Sequence, residues 1–168
     1  KGGVKIAERT RVLGFGVENG SISSVETDKG TIQCDSVVNC AGIWAREVGR
    51  LAGVNVPLQP SHHQYFVTEK IEGFERDIPT VRDTDHQLYF KEEVGGLAVG
   101  AYEFKPIPFL QYPIPENHEY KLMQENIDQF EPMLVPAYER FPALETTGVK
   151  QWFNGVESFT EDGMFIMG

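Results

Sequence analysis

The side chains able to do chemistry are scattered along this chain, and their spacing limits what each can do. His62 and His63 are adjacent in a strand-like stretch, so they point to opposite faces and cannot readily chelate one ion together. No other local ligand set completes a site, and no metal is expected. His63 is expected to hydrogen-bond in the core or help hold the sheet. Cys34 and Cys40 are too few for a disulfide scaffold and too isolated for zinc, and they read as reduced, buried thiols. Arg82, in TVRD, can grip a carboxylate through two parallel N–H donors, or it can sit in a structural ion pair with Asp83 or Glu103. Tyr89, in DHQLYFKEE, is carried on a strand, a rigid place from which to position a substrate; it can equally pack within the sheet. Ala41-Gly42 close the apolar run VVNC and lead into a helix-compatible run. The missing Cβ at Gly42 permits close packing of two elements or close approach of the backbone to a ligand. Asn154-Gly155 and Thr160-Glu161-Asp162-Gly163 carry turn chemistry, with Thr160 or Asp162 able to cap a helix.

These residues need elements to hold them. Val4 and Ile6 alternate with polar residues and predict a short strand. RVLGFGVE and ISSVET flank Asn19-Gly20, a strong hairpin signal because both residues tolerate positive φ. Asp28-Lys29-Gly30 then turns into TIQC, completing a meander. SVVNC reads as a parallel strand buried on both faces. The helix after Gly42 places Trp44, Val48 and Leu51 on one face and ends at Gly53 in a C′ position. HQYFVTEKI predicts a strand, and QLYFKEE and LAVGAYE a hairpin through Val94-Gly95-Gly96. Residues 104–116 are proline-rich and predicted irregular. Residues 116–130 carry the strongest helical period, and a second helix is expected over 132–140 with Pro132 in its first turn. Residues 148–159 return to strand character.

Composition excludes several classes. The chain has 168 residues and a net charge of −10, which repels phosphate backbones and argues against nucleic-acid binding. No apolar run approaches a membrane span. The opening KGGVKIAERTRV starts inside a strand-like pattern and the closing MFIMG is apolar, so the sequence reads as a segment of a longer polypeptide.

Taken in order, VVNCAGIWAREVGRLAG, HHQYFVTE, PTVRDTDHQLYFKEE, GLAVGAYE and QWFNGVESFTEDGMFIMG resemble the D-amino-acid-oxidase-like flavin-dependent oxidoreductases, in the dimethylglycine and sarcosine dehydrogenase branch. The resemblance covers nearly the whole chain. It implies a fold of class α/β plus α+β: a partial FAD-binding, Rossmann-like domain with an inserted antiparallel-sheet substrate domain. Residues 1–59 would be the later part of the FAD-binding domain, 60–147 the substrate domain and 148–168 a return to the first. The glycine-rich dinucleotide fingerprint of that family is not in the sequence: Gly14-Phe15-Gly16 sits inside the meander without a strand-to-helix turn. The isolated segment is therefore expected to hold little flavin and to be inactive, and an apolar face beside Val37 and Val38 is expected to be open to self-association.

The resemblance also implies an activity, namely oxidation of the C–N bond of N-methylated glycines or related amines by hydride transfer to FAD, leaving an iminium that water hydrolyses. It places Ala41, Gly42 and Trp44, with Asn154, Gly155, Asp162 and Gly163, at the cofactor. Tyr89 becomes a flavin-facing substrate wall and Arg82 a carboxylate clamp, while aromatic surfaces suit a methylated ammonium. Many relatives have proline where Glu161 stands, which adds a negative charge near the cofactor. The scaffold is shared by a non-catalytic regulator of pyruvate dehydrogenase phosphatase and by oxidases of other amino acids. The setting implied is the cytoplasm in a bacterium and the mitochondrial matrix in a eukaryote.

Overall fold

The computed structural model describes residues 2–167 and divides into two compact units. One runs up to Gln59 and resumes at Phe159; the other is Pro60–Ser158, inserted between these segments.

In the first unit, β1 (Val12–Glu18), β2 (Ser21–Thr27) and β3 (Gly30–Gln33) form an antiparallel meander in the order β1-β2-β3. Asn19 (φ 53°) and Gly20 (φ 80°) make the two-residue primed turn that the sequence predicts. A short 3₁₀ turn, Gly42–Trp44, leads into α1 (Ala45–Leu51), which lies against β1. Gly53 (φ 73°) ends α1: its N–H reaches the Arg50 carbonyl and the Val54 N–H reaches that of Gly49. This is the paired-bond cap for which a glycine at C′ is selected.

Several expectations for this unit are corrected. Residues 4–6 form no strand, and Val4 and Ile6 are exposed. SVVNC is not a buried parallel strand: residues 36–40 have no regular structure and Val38 is 84% exposed. A central strand is held by neighbours on both edges, and among the described residues none flanks it. The buried face of the helical segment is Ile43, Ala45 and Gly49 rather than Trp44, Val48 and Leu51. Gly49 is there for packing, since a Cβ would stand 2.5 Å from Val56 Cγ2 and 3.1 Å from the Val54 carbonyl oxygen. Cys40 is exposed rather than buried, and so are Met164–Met167.

The second unit is a five-stranded sheet in the order β5-β6-β7-β4-β8: β4 (Leu58–Thr68), β5 (Val81–Asp83), β6 (Leu88–Glu93), β7 (Gly96–Ala101) and β8 (Val149–Thr160). The pairs β5–β6, β6–β7 and β4–β7 are antiparallel. The sheet does not stop at residue 147. Val149–Ser158 belongs to it as an edge strand beside β4, and the return to the first unit begins at Phe159. Aromatic burial explains why: Trp152 packs on Phe66 and Phe130 at ring separations of 4.9 and 5.2 Å.

Strand alternation gives this sheet two faces. Phe66, Leu88, Phe90, Leu97, Val99 and Ala101 bury the inner face against Phe130, Met133 and Ala137 of α2 (Ile127–Arg140). That helix replaces the two predicted over 116–130 and 132–140. Only Glu116–His118 is a 3₁₀ turn; residues 119–126 are an irregular strap, and Pro132 lies in the second turn of α2. The strap is held from the sheet. The Gln64 amide accepts from the Asn126 N–H (2.8 Å) and donates to the Asn126 carbonyl (3.0 Å), and the Met123 N–H donates to the Asn154 carbonyl at 2.7 Å. Asn126 then caps α2 by accepting the Gln129 N–H at 3.1 Å.

Candidate functional site

The outer sheet face carries a row of residues directly opposite one another: Arg82 faces Tyr89, Tyr89 faces Gly100, and Gly100 faces Tyr65. The glycine is required. A Cβ at Gly100 would clash with the phenol end of Tyr89, at Cζ, the hydroxyl oxygen and Cε2. Tyr65 stacks on Phe153 of β8 at 4.7 Å, nearly parallel, and this pair walls a cleft of about 530 Å³ that Lys70, Lys150 and Val94 also line.

Around Tyr89 the aromatic and charged groups converge. The Tyr89 hydroxyl is 3.2 Å from His63 Nε2. The His63 ring stacks on Tyr102 at 4.7 Å, and the Arg82 guanidinium lies 4.5 Å from the centroid of the same tyrosine. Glu103 brings Oε2 to 3.5 Å from His63 Nδ1 and accepts the Gln64 N–H through Oε1 at 3.3 Å. Burial, reinforced by Tyr102, Glu157, Tyr65 and Glu103, pushes the Tyr89 phenol well above its ordinary range. Nearby, burial lowers the pKa of His62 against the opposing pull of Glu103.

The predicted residues fall as follows. Arg82 and Tyr89 come together on one face. Of the two structural partners expected for Arg82, Asp83 is held by Arg140 (2.8 and 3.2 Å) and His86 (3.1 Å), and Glu103 lies beside His63. Asn154, also in the second unit, is 1% exposed, and its Nδ2 donates to the Gln124 carbonyl at 2.7 Å. A Cβ at Gly155 would meet nothing within 4 Å.

In the first unit, Gly42 has φ 55°, and a Cβ there would likewise meet nothing within 4 Å. The glycine therefore serves a backbone conformation with open space before it, not close packing of helix on strand. Asn39 pins this turn, accepting the Ala41 N–H at 3.2 Å and donating to the Ala45 carbonyl at 2.8 Å. Trp44 is half-buried. Asp162 accepts the Met164 N–H at 3.0 Å, which lowers its pKa, and Gly163 (φ 69°) closes the exposed turn begun at Thr160.

Sequence reasoning gave His63 a structural role, named Glu103 only as a possible partner of Arg82, and overlooked Tyr102 and Asn39. A signal was available. His63, Tyr65, Arg82, Tyr89 and Tyr102 occupy the strand parity opposite to the apolar core residues. Among the described residues no group of His, Cys, Asp and Glu could hold a metal, and no helix is long and apolar enough to cross a membrane.

Comparison with known proteins adds a relationship to this geometry. The family model described as FAD dependent oxidoreductase matches residues 1–168. Mitochondrial sarcosine dehydrogenase of Mus musculus is 43% identical over 160 residues, covering 95% of this chain and 17% of the relative. The mitochondrial pyruvate dehydrogenase phosphatase regulatory subunit of Mus musculus is 37% identical, covering 99% of this chain and 19% of the relative. This chain thus spans under a fifth of each. Among solved structures, L-proline dehydrogenase from P. horikoshii superimposes with a TM-score of 0.73 at 26% identity, over 99% of this chain and 42% of that one.

Proposed function

This chain belongs to the FAD dependent oxidoreductase family, and on that premise we propose that it supplies the substrate-facing sheet of an enzyme oxidising the C–N bond of N-methylated glycines or related amines. FAD, when bound, would accept the hydride. The observation that carries this reading is the single face on which Arg82, Tyr89, Tyr102 and His63 converge.

Each side chain has a task in it. Arg82 is exposed, with its guanidinium held by the Tyr102 ring, and offers a planar fork to the substrate carboxylate. Tyr89 and Tyr102 give aromatic faces to an N-methyl ammonium. The phenol of Tyr89, protonated at neutral pH as any phenol is, fixes the amine nitrogen by a hydrogen bond. Ala41, Gly42 and Trp44, with Asp162 and Gly163, are the residues that would hold the cofactor. The positive φ and open space at Gly42 fit a backbone approached by a ligand. Sarcosine is itself an N-methylated glycine, and the 43% identity to its dehydrogenase supports this substrate class.

The test is Tyr89→Phe in the complete flavoprotein that carries this chain. The expected result is a fold like the wild type and flavin reduction slowed about 10²-fold at saturating amine, the cost of a misplaced reacting group. Reduction at the wild-type rate would remove Tyr89 from the mechanism. The 37% identity to a phosphatase regulatory subunit motivates a second reading, a regulator on the same scaffold. A wild-type protein whose flavin no N-methylated amine reduces would favour it.

A further inference from the structure

Building on the amine-oxidation reading, we propose that Glu103 is a positioning residue that sets the tautomer of His63 and thereby the direction of the Tyr89 hydroxyl. The three groups lie in a row, the Glu103–His63 contact at ion-pair separation and the His63–Tyr89 contact at hydrogen-bond distance. Glu103 Oε2 lies 3.5 Å from His63 Nδ1, and His63 Nε2 lies 3.2 Å from the Tyr89 oxygen. The histidine and glutamate side chains are 6% and 4% exposed. Glu103 is anchored as well, because its other oxygen accepts the N–H of Gln64, the residue next to His63. Tyr102 stacks on the imidazole and restrains its tilt.

An ionised carboxylate can only accept hydrogen bonds, so the ring nitrogen facing it is best protonated. A neutral imidazole has one N–H. With that proton on Nδ1, Nε2 is bare and accepts the Tyr89 O–H. The phenol then donates inward and turns its lone pairs outward, where they can accept an N–H from a secondary amine or an ammonium. Without Glu103 the proton is free to move to Nε2. Tyr89 would then be the acceptor inside and a donor outside, binding the amine lone pair that must assist hydride loss. Glu103 thus decides whether the wall residue accepts from the substrate nitrogen or ties it up.

The measurement is ¹⁵N NMR of labelled histidine in this chain, with His63 assigned by its loss in His63→Gln. In the wild type the expected ring is neutral with its proton on Nδ1. Glu103→Gln should keep that tautomer, because its amide oxygen still accepts. Glu103→Leu should shift the population to Nε2–H. The proposal is overturned by a wild-type His63 protonated on Nε2 or on both nitrogens, or by an unchanged tautomer in Glu103→Leu. If the leucine variant does not fold, the wild-type spectrum decides in the same terms. Neither amine nor flavin enters this measurement, so it fails independently of the amine-oxidation reading, which fails on flavin reduction.

Discussion

Replacing Gly100 by alanine tests the Tyr89 face at its tightest point. The added Cβ would clash with the phenol end of Tyr89, so either the ring swings away or β7 moves. Overpacking of this kind costs about 1–3 kcal/mol. If the ring swings, its hydrogen bond to His63 is lost as well, about 0.5–1.5 kcal/mol. Opposing this, removing a glycine restricts the unfolded chain and stabilises by about 0.4–1 kcal/mol. The net expectation is destabilisation of about 1–3 kcal/mol, or about 4–8 °C in melting temperature for each kcal/mol in a unit of this size. Gly155→Ala is the control, on the edge strand with nothing within 4 Å of the new methyl; it should change stability by no more than about 1 kcal/mol. Thermal unfolding followed by circular dichroism compares the two. If Gly100→Ala melts with Gly155→Ala and the tyrosine ring signals are unmoved, the arrangement of Tyr89 over Gly100 is wrong.

Asn126→Ala, which removes the α2 cap, should lower stability by about 1 kcal/mol in urea unfolding. Val94 is a β-branched residue at φ 52° beside Gly95 at 86°, so Val94→Asn should raise stability by about 1 kcal/mol or more; an unchanged urea midpoint would count against strain in that turn. Asp83 is held below the usual carboxylate range chiefly by Arg140, then by His86. Its folded pKa is depressed, so its contribution is complete above the unfolded value of about 3.9 and is lost as pH falls through the folded one. Arg140→Leu should therefore flatten the acid limb of the stability–pH curve, and an identical limb in both proteins would refute this.

What could be read from the sequence is what is settled locally. Asn19-Gly20 and the Gly53 cap each follow from the φ that a few residues accept, and the Val94-Gly95 turn, with Val94 strained in it, also lies where it was expected. What failed depended on distant partners. SVVNC has the composition of a central strand, but a strand needs edges to pair with. The helical period over 116–130 was real as a pattern, yet the strap hydrogen-bonds to Gln64 and Asn154 instead. In the site, Arg82 and Tyr89 could be singled out because each carries its chemistry alone. His63 and Glu103 acquire theirs only when segments far apart in sequence meet. Cysteine burial was also misjudged, because Cys40 belongs to the run whose burial failed.

The clasp between Gln64 and Asn126 also bears on the order in which the chain can fold. Its two bonds join residues 62 apart, so a long loop must close before the Asn126 backbone is fixed, at an entropic cost that only the assembled sheet repays. Until then α2 lacks a settled first turn, and it carries Pro132 and Pro136 inside, each removing a backbone donor. A peptide of residues 127–140 should therefore be mostly coil in water. The helix is therefore expected to form late, on β4, rather than to nucleate the unit. Mutations that destabilise α2 alone should accordingly speed unfolding more than they slow folding.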